Sequence, residues 1–283
     1  MNFYIYNLKL SANLPLQKFG LKTAPSKDTD IKVRMGATLT AIPKKTYFLD
    51  KEHSSVYIKN VAQFKVSKGR KISIFPHENV SLEEISGALL NFPIATCMSQ
   101  KGFIVIHASS ITKNNVTIMF CGQSHAGKST LAYAFKKKGW EILSEDICVI
   151  EDAEIFILNS QPSIKLSSES RVFLEEKYLK NEKVLNSERR TLIHSETKNL
   201  RKKPDVCFFL SWQQKTEIKK ISYSKVISHL LNYSFVTSEK KFSKQILKLF
   251  KEINFYDLDI KKNFNDLDAS IELITKFTEK KFD

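Results

Sequence analysis

A chain of 283 residues and 32.6 kDa has length for one large domain or two modest ones, and its 42% hydrophobic and 11% aromatic content excludes a disordered polypeptide. No apolar run reaches the roughly 18 to 20 residues that a membrane helix needs, and four scattered cysteines without a CxxC pair argue against zinc and against a disulfide framework. The net charge of +15 is carried overwhelmingly by dispersed lysines, with only six arginines, so it is read as solvated lysine faces rather than a nucleic-acid surface, which would favour the planar fork of arginine.

The opening MNFYIYNLKL lacks a basic stretch followed by an apolar core, so no signal peptide is expected and the expected location is the cytoplasm. The first 75 residues read as β-rich. VAQFKV and KISIF flank Ser67-Lys68-Gly69-Arg70, a hairpin turn in which Gly69 supplies the positive φ, and Pro76 closes the region. Ser81 and Glu84 have the spacing of a capping box and start a helix that Pro93 kinks or ends. FIVIHAS reads as an apolar strand after Gly102, and VTIMFC as a buried one. STLAYAFKKKG follows as a helix ending at Gly139, and WEILSEDICVIED as a strand with carboxylates in its middle. That order, strand, loop, helix, strand, is an α/β signature. The charged stretch Ser167 to Lys203 reads as a mobile surface excursion or substrate loop. Beyond it, DVCFFLSW and NFYDLDI read as strands, and SKVISHLLNYSF, SKQILKLFKEI and NDLDASIELITKF as helices; these later elements are read as core and cover.

The chemistry gathers at FCGQSHAGKST. Gly122, Gln123, Ser124, His125, Ala126, Gly127, Lys128 and Ser129 have the spacing G-x-x-x-x-G-K-[ST], followed by Thr130. Glycines let successive backbone N–H groups turn inward around a polyphosphate at the positive end of the next helix. Lys128 is expected to reach the β- and γ-phosphates of ATP, and the Ser129 hydroxyl to ligate Mg²⁺. Within EILSEDICVI, Glu145 and Asp146 are adjacent carboxylates between apolar residues, which is costly unless positive charge meets them. A magnesium nucleotide would be that partner. One carboxylate would then hold the metal and the other take a proton from an incoming hydroxyl; either could fill either role. His107, in VIHASS ahead of the loop strand, has no distinguishing signal alone.

Together these residues resemble the HPr kinase/phosphorylase family, whose kinase domain shares its fold with the nucleotide-binding part of phosphoenolpyruvate carboxykinase. The counterparts are His107, GQSHAGKS, LAYAFKKKGW and LSEDICVI in the same order. AQFKVSKGRKI, HAS and QPSIKL are similar to segments of a bacterial branch of that family, some members of which phosphorylate lasso-peptide precursors. The resemblance implies a β-rich N-terminal region over residues 1–80 and a P-loop kinase domain over residues 81–283, an α/β mixed sheet flanked by helices. It implies Glu145 as general base, Asp146 as its neighbour ordering metal or base, and His107 close to the pair. Glutamate stands where the family has its first aspartate, and His125 where it has glycine, a position read as tolerant of a side chain. No R-G-L-G-type segment follows the acids, which sets apart the reverse, dephosphorylating reaction and HPr itself as substrate.

The expected function is therefore an ATP- and Mg²⁺-dependent kinase acting on a serine or threonine hydroxyl of a peptide or small protein. A nucleotide-binding regulatory module with weak transfer, and a kinase of a small-molecule hydroxyl, stand as alternatives. Neither membrane nor nucleic acid is expected as partner, and the resemblance leaves room for a homo-oligomer.

Overall fold

The computed structural model describes residues 1–25, 28–158, 163–166, 170, 172–174, 184–187, 190–194 and 201–282. The chain divides into two compact units. One comprises Met1–Val105, Val149–Asp152 and Phe235–Gln245, the other Ile106–Cys148, Ala153–Ser234 and Ile246–Asp283. Most of the charged stretch from Ser167 to Lys203 lies outside the described residues.

The first unit is built on a seven-stranded sheet of β1 (Asn2–Ile5), β2 (Leu8–Ser11), β3 (Ile31–Met35), β4 (Tyr47–Phe48), β5 (His53–Ile58), β6 (Ala62–Ser67) and β7 (Lys71–Pro76). Its order is β1-β2-β3-β7-β6-β5-β4. The expected hairpin is β6–β7, with Ser67 paired to Lys71 and φ of +52° and +61° at Lys68 and Gly69. Both turn residues are left-handed, as a tight hairpin between twisted strands requires. The alternation of buried Ala62, Phe64 and Val66 with more exposed neighbours puts one face of β6 in the core. Helix α1 (Leu82–Leu89) begins at the Ser81–Glu84 capping box, both halves of which are made. Pro93 does not kink that helix. It sits in the first turn of a second one, α2 (Phe92–Lys101), where its missing N–H has no intrahelical partner to lose. Gln100 ties α2 to the sheet, accepting from Gly69 N at 2.8 Å and donating to the Asp50 carbonyl at 2.8 Å.

β8 (Ile104–Ile106), most of it in the first unit, and β9 (Ala108–Lys113), the first strand wholly in the second, part at His107, so FIVIHAS is two strands rather than one. β10 (Val116–Cys121), helix α3 (Lys128–Lys137) and β11 (Glu141–Ser144) follow, and β12 (Cys148–Ile150) resumes after the acid pair. The short strands β13 (Ile157–Leu158), β14 (Ser163–Leu166), β15 (Val184–Ser187), β16 (Arg190–His194) and β17 (Arg201–Lys202) precede β18 (Val206–Trp212) and β19 (Glu217–Lys220). Then come α4 (Tyr223–Tyr233), α5 (Glu239–Glu252), β20 (Asn254–Ile260) and α6 (Leu267–Phe282).

The main sheet of this unit has the order β11-β9-β10-β18-β20-β19. Strands β10, β18 and β20 are parallel, and β9, β11 and β19 run antiparallel to their neighbours, making the sheet mixed. Side chains alternate between its faces. Phe120, Phe208 and Tyr256 point to the face covered by α3 and α6, where they pack in one core with Phe135, Ile271 and Ile274. Phe209, in the next layer of β18, points the other way and stacks on His229 and Tyr233 of α4. Full burial of these aromatic side chains contributes about 1.5 to 3 kcal/mol each. Among the described residues, no helix is long and apolar enough to cross a membrane.

Candidate functional site

The loop between β10 and α3 occupies the carboxyl ends of the parallel strands, the edge at which open α/β sheets place their ligands. Gly122 is the point of closest approach. A Cβ there would stand 3.1 Å from Ala126 Cβ and 3.2 Å from both the Cβ and the carbonyl oxygen of Leu210. Gln123, Ser124 and His125 form the exposed crest, and Ala126 N returns to the Gln123 carbonyl at 3.1 Å. His125 has φ of +67° and Gly127 of +94°. Two left-handed residues so close together turn the chain sharply into α3, and the Trp212 indole holds the turn by donating to the His125 carbonyl at 3.2 Å. Gly127 caps α3 with no side-chain hydrogen bond, so the N–H groups of the first turn are left to the loop's concave side.

Lys128 is buried and folds back along the loop, donating to the carbonyls of Gly122 and Gln123 at 2.9 Å each. Ser129, one residue on, donates its hydroxyl proton to the Glu145 carboxylate. Thr130 pairs with Ser170 through their hydroxyls at 2.8 Å.

The carboxylates do not lie in mid-strand as the sequence suggests. β11 ends at Ser144 and β12 starts at Cys148, and the residues between make a three-residue turn in which Ile147 N bonds the Glu145 carbonyl at 2.8 Å. Asp146 is its centre, with φ of +67°. Such a turn is strained. It resolves the difficulty of two buried acids on one strand: an uninterrupted strand would send them to opposite faces, whereas the turn leaves Glu145 against Ser129 and Asp146 beside His107. His107 Nδ1 lies 2.8 Å from the Asp146 carbonyl oxygen, to which it must donate, and 3.4 Å from the Asp146 carboxylate. The backbone N–H of His107 in turn donates to the Tyr233 carbonyl at 2.7 Å. Below the turn, the Ser144 hydroxyl joins Ser110 at 2.8 Å and Cys148 at 2.6 Å.

A cleft of about 940 Å³ opens over the loop and holds His107, residues 123–130 and Asp146 in its lining. All the residues singled out from sequence are thereby gathered except Gly122 and Glu145, which sit just beneath the surface as the loop's hinge and the partner of Ser129. Among the described residues no group of three or more His, Cys, Asp or Glu could hold a metal unaided. The donor set present, one hydroxyl and two adjacent carboxylates, is hard oxygen chemistry. It fits Mg²⁺, which keeps several waters and takes one or two carboxylates besides the substrate's phosphates.

No family model matches the chain, and no curated protein does. Among solved structures, the HPr(Ser) kinase/phosphatase from Coxiella burnetii is similar over 62% of this chain and 97% of its own, at 11% identity and a TM-score of 0.33. A likeness that slight says nothing of activity.

Sequence reading misses the far wall of the cleft. Lys225, His229 and Tyr233, at four-residue spacing on one face of α4, line it together with Phe209 and Asp257. Lys225 Nζ bonds an oxygen of Asp257 at 2.6 Å, and His229 Nε2 lies 3.8 Å from the other oxygen. Burial holds the His229 imidazole below its ordinary pKa, against the pull of Asp257. Cys121, Phe209 and Asp257 stand in one row across the three parallel strands, so this wall begins beside the first residue of the loop. A local signal exists: Asp257 and Asp259 alternate with apolar residues in NFYDLDI, the same anomaly that draws attention to Glu145 and Asp146.

Proposed function

We propose that this chain is an ATP-dependent kinase, using Mg²⁺, that transfers the γ-phosphoryl group to a serine or threonine hydroxyl of a peptide or small protein. The observation that carries this reading is the bond from Ser129 to Glu145, which joins the phosphate-loop motif to one half of the acid pair while His107 engages the other half. A loop that bound phosphate only as a structural prop would have no use for a second carboxylate beside it.

The roles divide accordingly. Loop N–H groups from Gln123 to Thr130 and the Lys128 ammonium receive the β- and γ-phosphates; Lys128 exchanges its two carbonyl partners for phosphate oxygens. Ser129 and Glu145 would hold Mg²⁺, which when bound would supply positive charge to the phosphate oxygens. Asp146, oriented by His107, accepts the acceptor's hydroxyl proton. As that proton leaves, the acceptor oxygen bonds the γ-phosphorus in line with the bond to the β-phosphate, which breaks to release ADP. Glu145 is thus assigned to the metal and Asp146 to the proton, because only Glu145 touches the Ser129 hydroxyl.

The test is label transfer from γ-labelled ATP, with Mg²⁺, into proteins of a native cell extract. Wild type should label a polypeptide, while Lys128→Ala and Asp146→Asn should each lower labelling by about 10²-fold or more, the scale of losing one charge-stabilising or proton-accepting group. Labelling equal in all three proteins would end the kinase reading.

A further inference from the structure

The cleft has two walls, and the loop's polarity says what each receives. The γ-phosphate end is the end of Lys128, Ser129 and the acid pair, and the nucleoside end leaves past Thr130. His107 binds α4 to the γ end, since its N–H bonds the carbonyl of Tyr233, the last residue of that helix. The α4 wall therefore faces the reacting phosphate, on the opposite face of the sheet from α3 and α6. It is composed for recognition. Phe209, His229 and Tyr233 form a planar stack, with centroids 4.5 Å apart for Phe209–His229 and 5.7 Å for His229–Tyr233. Lys225 stands at its outer end.

Two features separate Lys225 from an ordinary surface ion pair. Asp257 is the buried partner, its side chain 14% exposed, whereas that of Lys225 is 54% exposed. The carboxylate needs the lysine, but it occupies one of three ammonium donors and leaves the others toward the cleft. Lys261, 3.7 Å from Asp266, and Lys262 also line the cleft, and the two acids in its lining are Asp146, beside His107, and Asp257, the partner of Lys225. With Lys128 and Lys225 the lining carries four lysines against two aspartates, so the cleft has an excess of positive charge.

We propose that the Lys225–His229–Tyr233 face of α4 is the acceptor track, and that it takes an acidic polypeptide segment. The hydroxyl lies at the Tyr233 end beside Asp146, the backbone crosses the aromatic stack, and a substrate carboxylate meets Lys225. Tyr233 lies eight helical steps beyond Lys225, about 12 Å at 1.5 Å per residue. An extended peptide covers that distance in about three to four residues. The acidic residue therefore stands three to four positions from the phosphorylated one. This inference rests on the kinase reading above and narrows its substrate class.

The experiment uses the whole chain and a set of synthetic peptides, each with one serine in a glycine–alanine background and one glutamate moved from one to seven positions on either side. Initial rates of label transfer are compared for wild type, Lys225→Ala and Lys225→Glu, with fluorescent ADP binding measured on each to show that the cleft is folded. Wild type should prefer glutamate three to four positions away, on one side, by about 10-fold, the scale of one exposed-to-half-buried charge contact. Lys225→Ala should lose the preference. Lys225→Glu should prefer a lysine placed at the same distance, a reversal that a merely structural lysine would not produce. Indifference to glutamate position, or a preference that survives Lys225→Ala, overturns the track. Nucleotide binding with turnover to water and no peptide labelled by any variant also overturns it, while leaving the nucleotide site standing. Failure to bind nucleotide at all removes the kinase reading itself, and the track with it.

Discussion

The His107 ring lies 2.8 Å from the Asp146 carbonyl oxygen and 3.4 Å from its carboxylate, so one side chain holds both backbone and side chain of the residue at the centre of a strained turn. Positive φ at a non-glycine residue persists only where neighbours over-determine it. Removing the ring by His107→Ala takes one donor from that carbonyl and one neighbour from the carboxylate. Stability should fall by about 1 to 3 kcal/mol, and label transfer should fall more steeply than nucleotide affinity, because the loop itself is untouched. Equal losses in the two readouts would mean that His107 supports the fold and not the proton-accepting geometry. Thermal unfolding, ADP titration and transfer rate on one preparation decide between them.

Ser129 and Glu145 act on one centre in this account, which predicts non-additivity. Ser129→Ala and Glu145→Gln should each lower transfer by about 10²-fold, and the double variant by little more than the worse single one. A product of the two effects, near 10⁴-fold, would show that they serve separate steps. The same variants should bind ADP comparably with wild type in the presence of chelator, since the loop N–H groups and Lys128 remain.

How much of this site can be read in the sequence depends on the range of the interactions that make it. The strand–loop–helix order around residues 116–137 is written in local patterns: an apolar run, glycines at fixed offsets, and a helical period. The β6–β7 hairpin and the Ser81–Glu84 box are legible for the same reason. The interrupted acid strand is not, because the alternation in EILSEDICVI is equally that of a continuous strand. What breaks it is tertiary, the bond to Ser129 on one side and to His107 on the other. The α4 wall is still less visible. Lys225, His229 and Tyr233 look like the polar shoulder of any amphipathic helix, and only the register of Cys121, Phe209 and Asp257 across three strands brings them to the loop.

His125 offers a test of how the loop is shaped. At φ of +67° its side chain is exposed and the backbone carries the strain. His125→Gly removes that strain, about 1 to 2 kcal/mol for a left-handed L-residue, but adds freedom to the unfolded chain worth about 0.4 to 1 kcal/mol. The net effect should be a small gain, below about 1.5 kcal/mol, with nucleotide affinity kept. His125→Val should destabilise, because a β-branched side chain is a poor fit to left-handed backbone. A large loss of ADP affinity in His125→Gly would instead make the imidazole a nucleotide contact.

Gly122 should tolerate nothing larger. A Cβ would meet the Leu210 carbonyl oxygen at 3.2 Å, and that oxygen belongs to a central strand that cannot withdraw without disturbing its pairing to β20. Gly122→Ala should therefore cost about 1 to 3 kcal/mol by overpacking, and should weaken ADP binding by lifting the loop from the sheet. Ser124→Ala, on the exposed crest, is the control for stability and should change the unfolding free energy by less than about 0.5 kcal/mol.

Alkaline pH should weaken the second unit through a thiol beside the acid turn. Cys148 is fully buried, and burial pushes its pKa from the ordinary 9.0 up to about 12, despite the Ser144 and Ser110 hydroxyls that favour the thiolate. The folded protein keeps this proton until pH approaches 12, whereas the unfolded chain releases it from about 9. Between those values the unfolded state binds fewer protons, so stability falls as pH rises, by about 1.4 kcal/mol per unit for one such thiol. Below pH 9 both states are protonated and the contribution is flat. Urea unfolding of wild type and Cys148→Ala at pH 8.5, 9.5 and 10.5 separates this thiol from the lysines and tyrosines that titrate in the same range. The wild type should lose stability faster than the variant above pH 9, by that amount per unit. Parallel curves would mean that Cys148 ionises in the folded protein, and that the floor beneath Glu145 and Asp146 is open to water.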